Sequence, residues 1–206
     1  KYRSDIWRYD GAEEPLRRMA NTNSNLYAYR FDWDEQNNSS FAGNYQLFVG
    51  AAHGLEIPFL TGDFDLGPIT FYIKPFMFPD DSDEGRLALS DLMMTYWANI
   101  AKYGNPNEFV KGPKWEKFTQ ENNQLLILDN PTANLVEMRT IPVSKDDLLS
   151  QIEADSALEI KERCLIGWIA ARNFQEDARP QPPFNFCSNF TEEDLYKLRN
   201  LTEGRD

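Results

Sequence analysis

A mixed α and β architecture is what this sequence predicts, and three observations carry it. Residues 82–103 hold one apolar stripe at helical spacing; 26–31, 125–128 and 135–139 read as short strands; turn formers separate these segments. The order of these elements is mixed α and β, but so few strands do not make a self-contained sheet of ordinary size.

The elements follow in order. Residues 12–21 suit a short helix, with Pro15 tolerated in its first turn. Residues 26–31, Leu-Tyr-Ala-Tyr-Arg-Phe, are apolar on both faces and read as a strand covered on both sides. Residues 32–46 are polar and loop-like. In 47–62, Gly50, Gly54, Pro58 and Gly62 interrupt any long regular element, which predicts a structured, partly buried loop with one or two helical turns at most.

The long helix rests on Leu89, Leu92, Met93, Tyr96, Trp97 and Ile100, which share one face. Such a stripe is core packing rather than a cofactor box. Gly104 stands where a left-handed C-cap belongs, and Asn105-Pro106 stops continuation. Ser144 and Asp147 resemble a capping box opening a helix. A further helix near 157–171 would gather Ile160, Cys164, Gly167, Trp168 and Ala171 on one side. Residues 174–190 contain Pro180, Pro182 and Pro183 and are expected to be irregular, before Thr191-Glu-Glu-Asp194 caps a terminal helix.

Composition narrows the class of function. With 41% hydrophobic and 14% aromatic residues the chain can bury a core, which excludes disorder over most of its length. A formal net charge of -12 disfavours nucleic acid and anionic membrane surfaces, both of which select clustered Lys and Arg. No apolar run approaches the length of a membrane span. Lys1-Tyr2-Arg3 carries no signal peptide and reads like the middle of a longer chain. Cys164 and Cys187 either pair across the proline-rich stretch or leave Cys164 as a buried helical thiol. Asn37, Asn38, Asn189 and Asn200 each open an Asn-x-Ser/Thr sequon, which has meaning only in a secreted chain.

There is no Gly-x-Gly, no Walker loop, no Cys-x-x-Cys and no serine in a Gly-x-Ser-x-Gly elbow. His53, the sole histidine, remains. A lone histidine is more often structural than catalytic, but Ala51, Ala52 and Gly54 leave space around this imidazole. Its ordinary pKa suits proton transfer in acyl chemistry. Glu56 supplies only one further local metal ligand, so no metal site is expected; the carboxylate suits a buttress for the loop.

Two longer motifs carry a resemblance. Residues 50–62, Gly-Ala-Ala-His-Gly-Leu-Glu-Ile-Pro-Phe-Leu-Thr-Gly, resemble the histidine loop of type B carboxylesterases and cholinesterases. Residues 93–107, Met-Met-Thr-Tyr-Trp-Ala-Asn-Ile-Ala-Lys-Tyr-Gly-Asn-Pro-Asn, resemble the long helix and Gly-Asn-Pro turn that follow it there. The strand at 27–31, Trp115 and residues 125–128 fall in the same order, and the likeness loosens beyond residue 140.

The resemblance implies that residues 1–206 are the C-terminal part of one α/β-hydrolase domain, incomplete without an upstream segment. That segment would carry the nucleophilic serine, the acid and the glycine-rich oxyanion loop. His53 would be the general base, Glu56 a supporting residue, and Leu55 and Phe59 would border the ester pocket. An aliphatic Leu55 weakly disfavours a quaternary-ammonium substrate, which prefers an aromatic face. Phe64 and the aromatic stretch 71–78 would either wall an apolar gorge or pack as core. The implied activity is serine-dependent hydrolysis of a small carboxylic ester, without cofactor, in a secreted or periplasmic protein. The rival is a non-catalytic adhesion or scaffolding member of the same fold, and a second rival is an independent acidic binding domain with a structural His53.

Overall fold

The structure, a computed structural model, describes residues 2–36, 49–65, 67–140, 145–173 and 184–203. They divide into two compact units, one formed by Lys1–Thr22 with Pro142–Asp206 and the other by Asn23–Ile141. Helices and a three-stranded sheet give the mixed α and β content expected.

The unit Asn23–Ile141 contains the sheet. Strand β1 (Tyr29–Phe31) runs parallel to β2 (Gln124–Leu128), and β3 (Glu137–Thr140) is antiparallel to β2 on its other side. Strand β1 is shorter than predicted. Leu26 and Ala28 are buried, but their carbonyls bond outside the regular ladder, Leu26 to the amide of Phe118 and Ala28 to the amide of Leu126. Nor is β1 covered on both faces, because Tyr29 is exposed. Central β2 is buried from Leu125 to Leu128, as its unbroken apolar run requires.

The long helix extends over Asp83–Tyr103, within a residue of the predicted start. Leu89, Met93 and Tyr96 are fully buried, and Leu92, Trp97 and Ile100 pack partly buried against the same core. Gly104 adopts φ +68, the left-handed C-cap anticipated for it, and returns its N–H to Ile100. Side-chain amides pin the turn that follows. Asn99 Nδ2 donates to the carbonyls of Pro106 and Glu108, Asn25 Nδ2 to Gly104, and Asn107 exchanges two hydrogen bonds with the backbone of Trp115. Trp115 in turn donates its indole N–H to the carbonyl of Ala28, 2.9 Å away, which ties the turn to β1. Edge-on contacts join its ring to Tyr27, Tyr29 and Tyr96.

The unit formed by 1–22 and 142–206 is helical among its described residues. Helical backbone begins at Tyr2, ten residues before the predicted start, and continues through α1 (Tyr2–Arg8), a π turn (Tyr9–Glu13) and α2 (Glu14–Met19). Pro15 lies in the first turn of α2, directly after the π turn. Three further helices cover Lys145–Ala154, Ile160–Asn173 and Glu192–Glu203. Ser144, the expected cap of the first, lies outside the described residues. In Ile160–Asn173 the predicted inner face is buried at Cys164, Gly167, Trp168 and Ala171, whereas Ile160, at the first position, is exposed. Cys164 and Cys187 form a disulfide with Cα atoms 5.6 Å apart, so Cys164 is not the free thiol that was the alternative. Of the stretch expected to be irregular, 174–183 lie outside the described residues and Asn185–Cys187 is a single 3-10 turn. The capping box at the last helix is present: Thr191 Oγ accepts from the Asp194 amide while Asp194 Oδ2 accepts from the Thr191 amide.

Gly85 gives a test of this packing. A Cβ there would lie 2.3 Å from Asn130 Oδ1, and Asn130 is held by the Thr132 amide and hydroxyl and by Glu35 Oε1. Gly85→Ala should therefore destabilise the protein by about 1–3 kcal/mol, against the gain of up to about 1 kcal/mol that alanine brings to an unhindered helix site. Equilibrium denaturation measures it; an unchanged or raised midpoint would refute the clash.

Candidate functional site

The parallel pair sets the position of the site. In open α/β sheets the carboxyl ends of parallel strands are where ligand-binding loops emerge. Strand β1 ends at Phe31, and the Asp32 amide adds one more hydrogen bond to Leu128 at 2.9 Å before the chain leaves the sheet. Gln36, almost completely buried, then donates its side-chain amide to the carbonyl of Gly50 at 2.9 Å. This bond fixes the near end of the histidine loop.

Beyond it, Gly50 and Gly54 take positive φ of 50° and 89°, which non-glycine residues adopt only with strain. They let the chain turn sharply on both sides of His53. The Leu55 amide closes a turn onto the Ala52 carbonyl at 3.1 Å, and the Gly54 amide donates to Glu56 Oε2 at 2.9 Å. Glu56 thus buttresses the loop from the residue that starts helix α3 (Glu56–Thr61). The predicted one or two helical turns are this single short helix. Pro58 lies in its first turn, and Gly62 ends it at φ +70.

Phe59 anchors the far end. Its ring is completely buried among Phe31, Trp33, Phe64 and Phe78, with centroids 5.2 to 6.1 Å away. Its carbonyl accepts a 2.8 Å hydrogen bond from Ser90 Oγ on the long helix. Arg86, also buried, lies over the Phe64 ring at 4.1 Å and pairs with Asp83 at 2.6 Å. Its charge is thereby neutralised beside the aromatic cluster.

His53 itself is exposed at the crest of this loop. Leu55 and Phe59, placed beside the ester pocket by the sequence, are found respectively packed partly buried against the core and sealed inside it. Phe64 and Phe78 belong to the same cluster, while Phe71 and Tyr72 are exposed. Among the described residues no three His, Cys, Asp or Glu side chains assemble into a metal site, and no helix is long and apolar enough to cross a membrane.

A feature that the sequence reading missed is an acidic group at the carboxyl end of β2. Burial pushes the Asp129 carboxyl up to about 6, and the charges of Asp34, Asp32 and Glu35 act in the same direction against a hydrogen bond from the Asn130 amide. Four acidic residues close in sequence to strand ends were visible, but their convergence depends on the parallel register.

The comparisons agree with the motifs. The Carboxylesterase family pattern matches residues 2–145. Acetylcholinesterase of Gallus gallus is 32% identical over 102 residues, covering 50% of this chain and 11% of that protein. Neuroligin-3 of Macaca mulatta is 40% identical over 68 residues, covering 33% of this chain and 30% of the relative. For Neuroligin-3 of Homo sapiens the identity and length are the same, with 7% of the relative covered. The chain thus spans less than a third of each of these relatives.

Two predictions follow from the geometry. Asp129 has a folded-state pKa raised above its unfolded value, so its contribution to stability is present at low pH and lost as pH rises through about 6. Asp129→Asn should flatten that fall and raise stability near pH 7.5 by about 1 kcal/mol, after discounting for solvent around a half-buried group. Denaturation at about pH 4.5 and 7.5 checks it, and an unchanged pH slope in the variant would be the contrary result. Glu56→Ala should cost about 1 kcal/mol through loss of the carboxylate bond to the Gly54 amide, with Glu56→Gln costing less. Equal losses for the two variants would show that the hydrogen bond is not what Glu56 contributes.

Proposed function

The chain belongs to the carboxylesterase family, and on that premise we propose that it supplies the general-base histidine, His53, of a serine ester hydrolase. The observation that carries this reading is an exposed imidazole on a loop immobilised at both ends, by Gln36 at Gly50 and by the buried Phe59. A proton-transfer group has to be reachable and rigidly placed at once.

In this reading the two units are parts of one α/β-hydrolase domain; the family match covers all of Asn23–Ile141 but only residues 2–22 and 142–145 of the other unit. The serine, the triad acid and the oxyanion donors come from a segment upstream of these residues. His53 takes the proton of the serine hydroxyl as its oxygen attacks the ester carbonyl. It returns that proton to the departing alcohol, and then activates water against the acyl-enzyme. The acid partner holds the other ring nitrogen and so fixes the tautomer. Glu56 keeps the loop in shape without touching the reacting atoms. The substrate is a small carboxylic ester, and Leu55, if it borders the alcohol side, suits an uncharged leaving group.

A second reading is a non-catalytic adhesion or scaffolding member. It draws on the neuroligin-3 matches, at 40% the more similar over their shorter span, a relative whose name, unlike that of acetylcholinesterase, names no ester.

Both readings meet one experiment on the full-length protein. The parent should hydrolyse p-nitrophenyl esters and take a fluorophosphonate label, and His53→Ala should lower turnover by about 10²–10⁴-fold. Near-normal turnover in the variant would remove His53 from the role of base. A parent that neither hydrolyses nor labels would favour the second reading.

A further inference from the structure

We infer that Asn189 is an N-glycosylation site, and that its first sugar residue lies against the shallow cleft formed with Phe190, Asp194, Lys197 and Leu198. The inference is independent of the proposed esterase activity. It starts from the Asn189-Phe190-Thr191 sequon, which has no proline at its middle position.

Three structural observations separate this sequon from a chance match. The Asn189 side chain is exposed, and among the described residues no hydrogen bond engages it. It stands in an irregular turn between the 3-10 turn at Asn185–Cys187 and the helix Glu192–Glu203. Acceptor sequons belong in such surface loops. Asn200, the other described sequon asparagine, is also exposed but lies within that helix, where a regular backbone replaces the loop. Asn37 and Asn38 lie outside the described residues.

The second observation is the disulfide. Cys187, two residues before Asn189, is completely buried and bonded to Cys164. Such bonds form and persist in oxidising compartments, where N-glycan transfer also takes place in eukaryotic cells. It also holds the turn: the Phe190 amide donates to the Cys187 carbonyl at 2.9 Å, so the sequon is tethered directly to the cross-link.

The third is the surface beside the acceptor. Asn189, Phe190, Asp194, Lys197 and Leu198 line an open cleft of about 410 Å³. The partly exposed Phe190 ring and the Leu198 side chain offer an apolar floor for the carbon-rich face of a sugar ring, and Asp194 and Lys197 offer hydrogen-bonding groups at its rim.

The step needs one co-reactant, a lipid-diphosphate-linked oligosaccharide presented by a membrane transferase. The Asn189 amide nitrogen bonds to the anomeric carbon, the glycosyl–phosphate bond breaks, the lipid diphosphate leaves, and the amide gives up one proton to a base of the transferase. No oxidation is involved.

The test uses the full-length protein secreted by a eukaryotic cell line. Peptide mapping after enzymatic deglycosylation should find the Asn189 peptide carrying the Asn-to-Asp conversion that marks a former glycan. Asn189→Gln and Thr191→Ala should each lose one glycan's worth of apparent mass and migrate faster. Thr191→Ser should keep it, because serine preserves both the sequon and the hydroxyl that caps the helix. An unmodified Asn189 peptide from the secreted parent would overturn the inference, and the parent's peptide map decides even if a variant fails to be secreted. Ester hydrolysis by the same preparations is a separate readout, so loss of one proposal does not imply loss of the other.

Discussion

The buried ring of Phe59 is the constraint on which the placement of His53 depends. A loop rich in glycine has little stiffness of its own, since Gly50 and Gly54 supply the turns by giving up side chains that could have packed. Rigidity has to be imported. Phe59 imports it from four rings that arrive from β1, from the segment after it, and from the chain preceding the long helix. Extracting a phenylalanine from such a site costs about 3–5 kcal/mol when it is merely truncated. Moving the loop as a body would also break the bond between Ser90 and the Phe59 carbonyl. The position of the histidine loop is therefore set by the hydrophobic core at Phe59 together with the hydrogen bonds of Gln36 and Glu56.

The same economy explains the long helix. Its inner face serves three structures at once: Leu89 and Met93 complete the core, Ser90 fastens the histidine loop, and Asn99 fastens the Gly-Asn-Pro turn. Two of these contacts are made by small polar side chains inside an apolar stripe. Buried polar groups of this kind hold only where a backbone carbonyl waits for them. That requirement links the helix register to the two segments that pack on it, so the motif and the helix have to be read together.

The long helix and its C-terminal end were legible in the sequence because the signals are local. Apolar spacing and a left-handed glycine act within a few residues, as does the capping box of the helix Glu192–Glu203. What escaped the reading depends on distant partners. The helical backbone from Tyr2 was missed because the polar residues among 2–11 dilute a stripe as thin as Tyr2 and Ile6, both of which are buried only by tertiary packing. Strand β1 was drawn too long because apolar character at Leu26 and Ala28 reports burial, whereas a strand also requires ladder hydrogen bonds. Two cysteines cannot announce their pairing, since a Cα separation of 5.6 Å is a property of the fold. At the site, the motif marked out the loop that carries His53, but the complete burial of Phe59 depends on rings distant in sequence.

The carboxylates near the site bear on where the triad acid of the proposed enzyme lies. Such an acid must be ionised and must spend its lone pairs on the imidazole, because its work is to orient the ring and stabilise the imidazolium. Glu56 commits Oε2 to the Gly54 amide, one residue from His53, and its geometry serves the backbone of the loop. Asp129, pushed up to about 6 by burial and by Asp34, Asp32 and Glu35, accepts a hydrogen bond from the Asn130 amide. Asp32 is engaged by Arg30 through two guanidinium bonds, and Glu35 accepts from Asn130. Asp32, Glu35 and Asp129 are thus each engaged by a neighbouring donor near the strand ends. In the proposed mechanism the triad acid comes from a segment upstream of these residues, and Glu56 stays with the backbone of the loop.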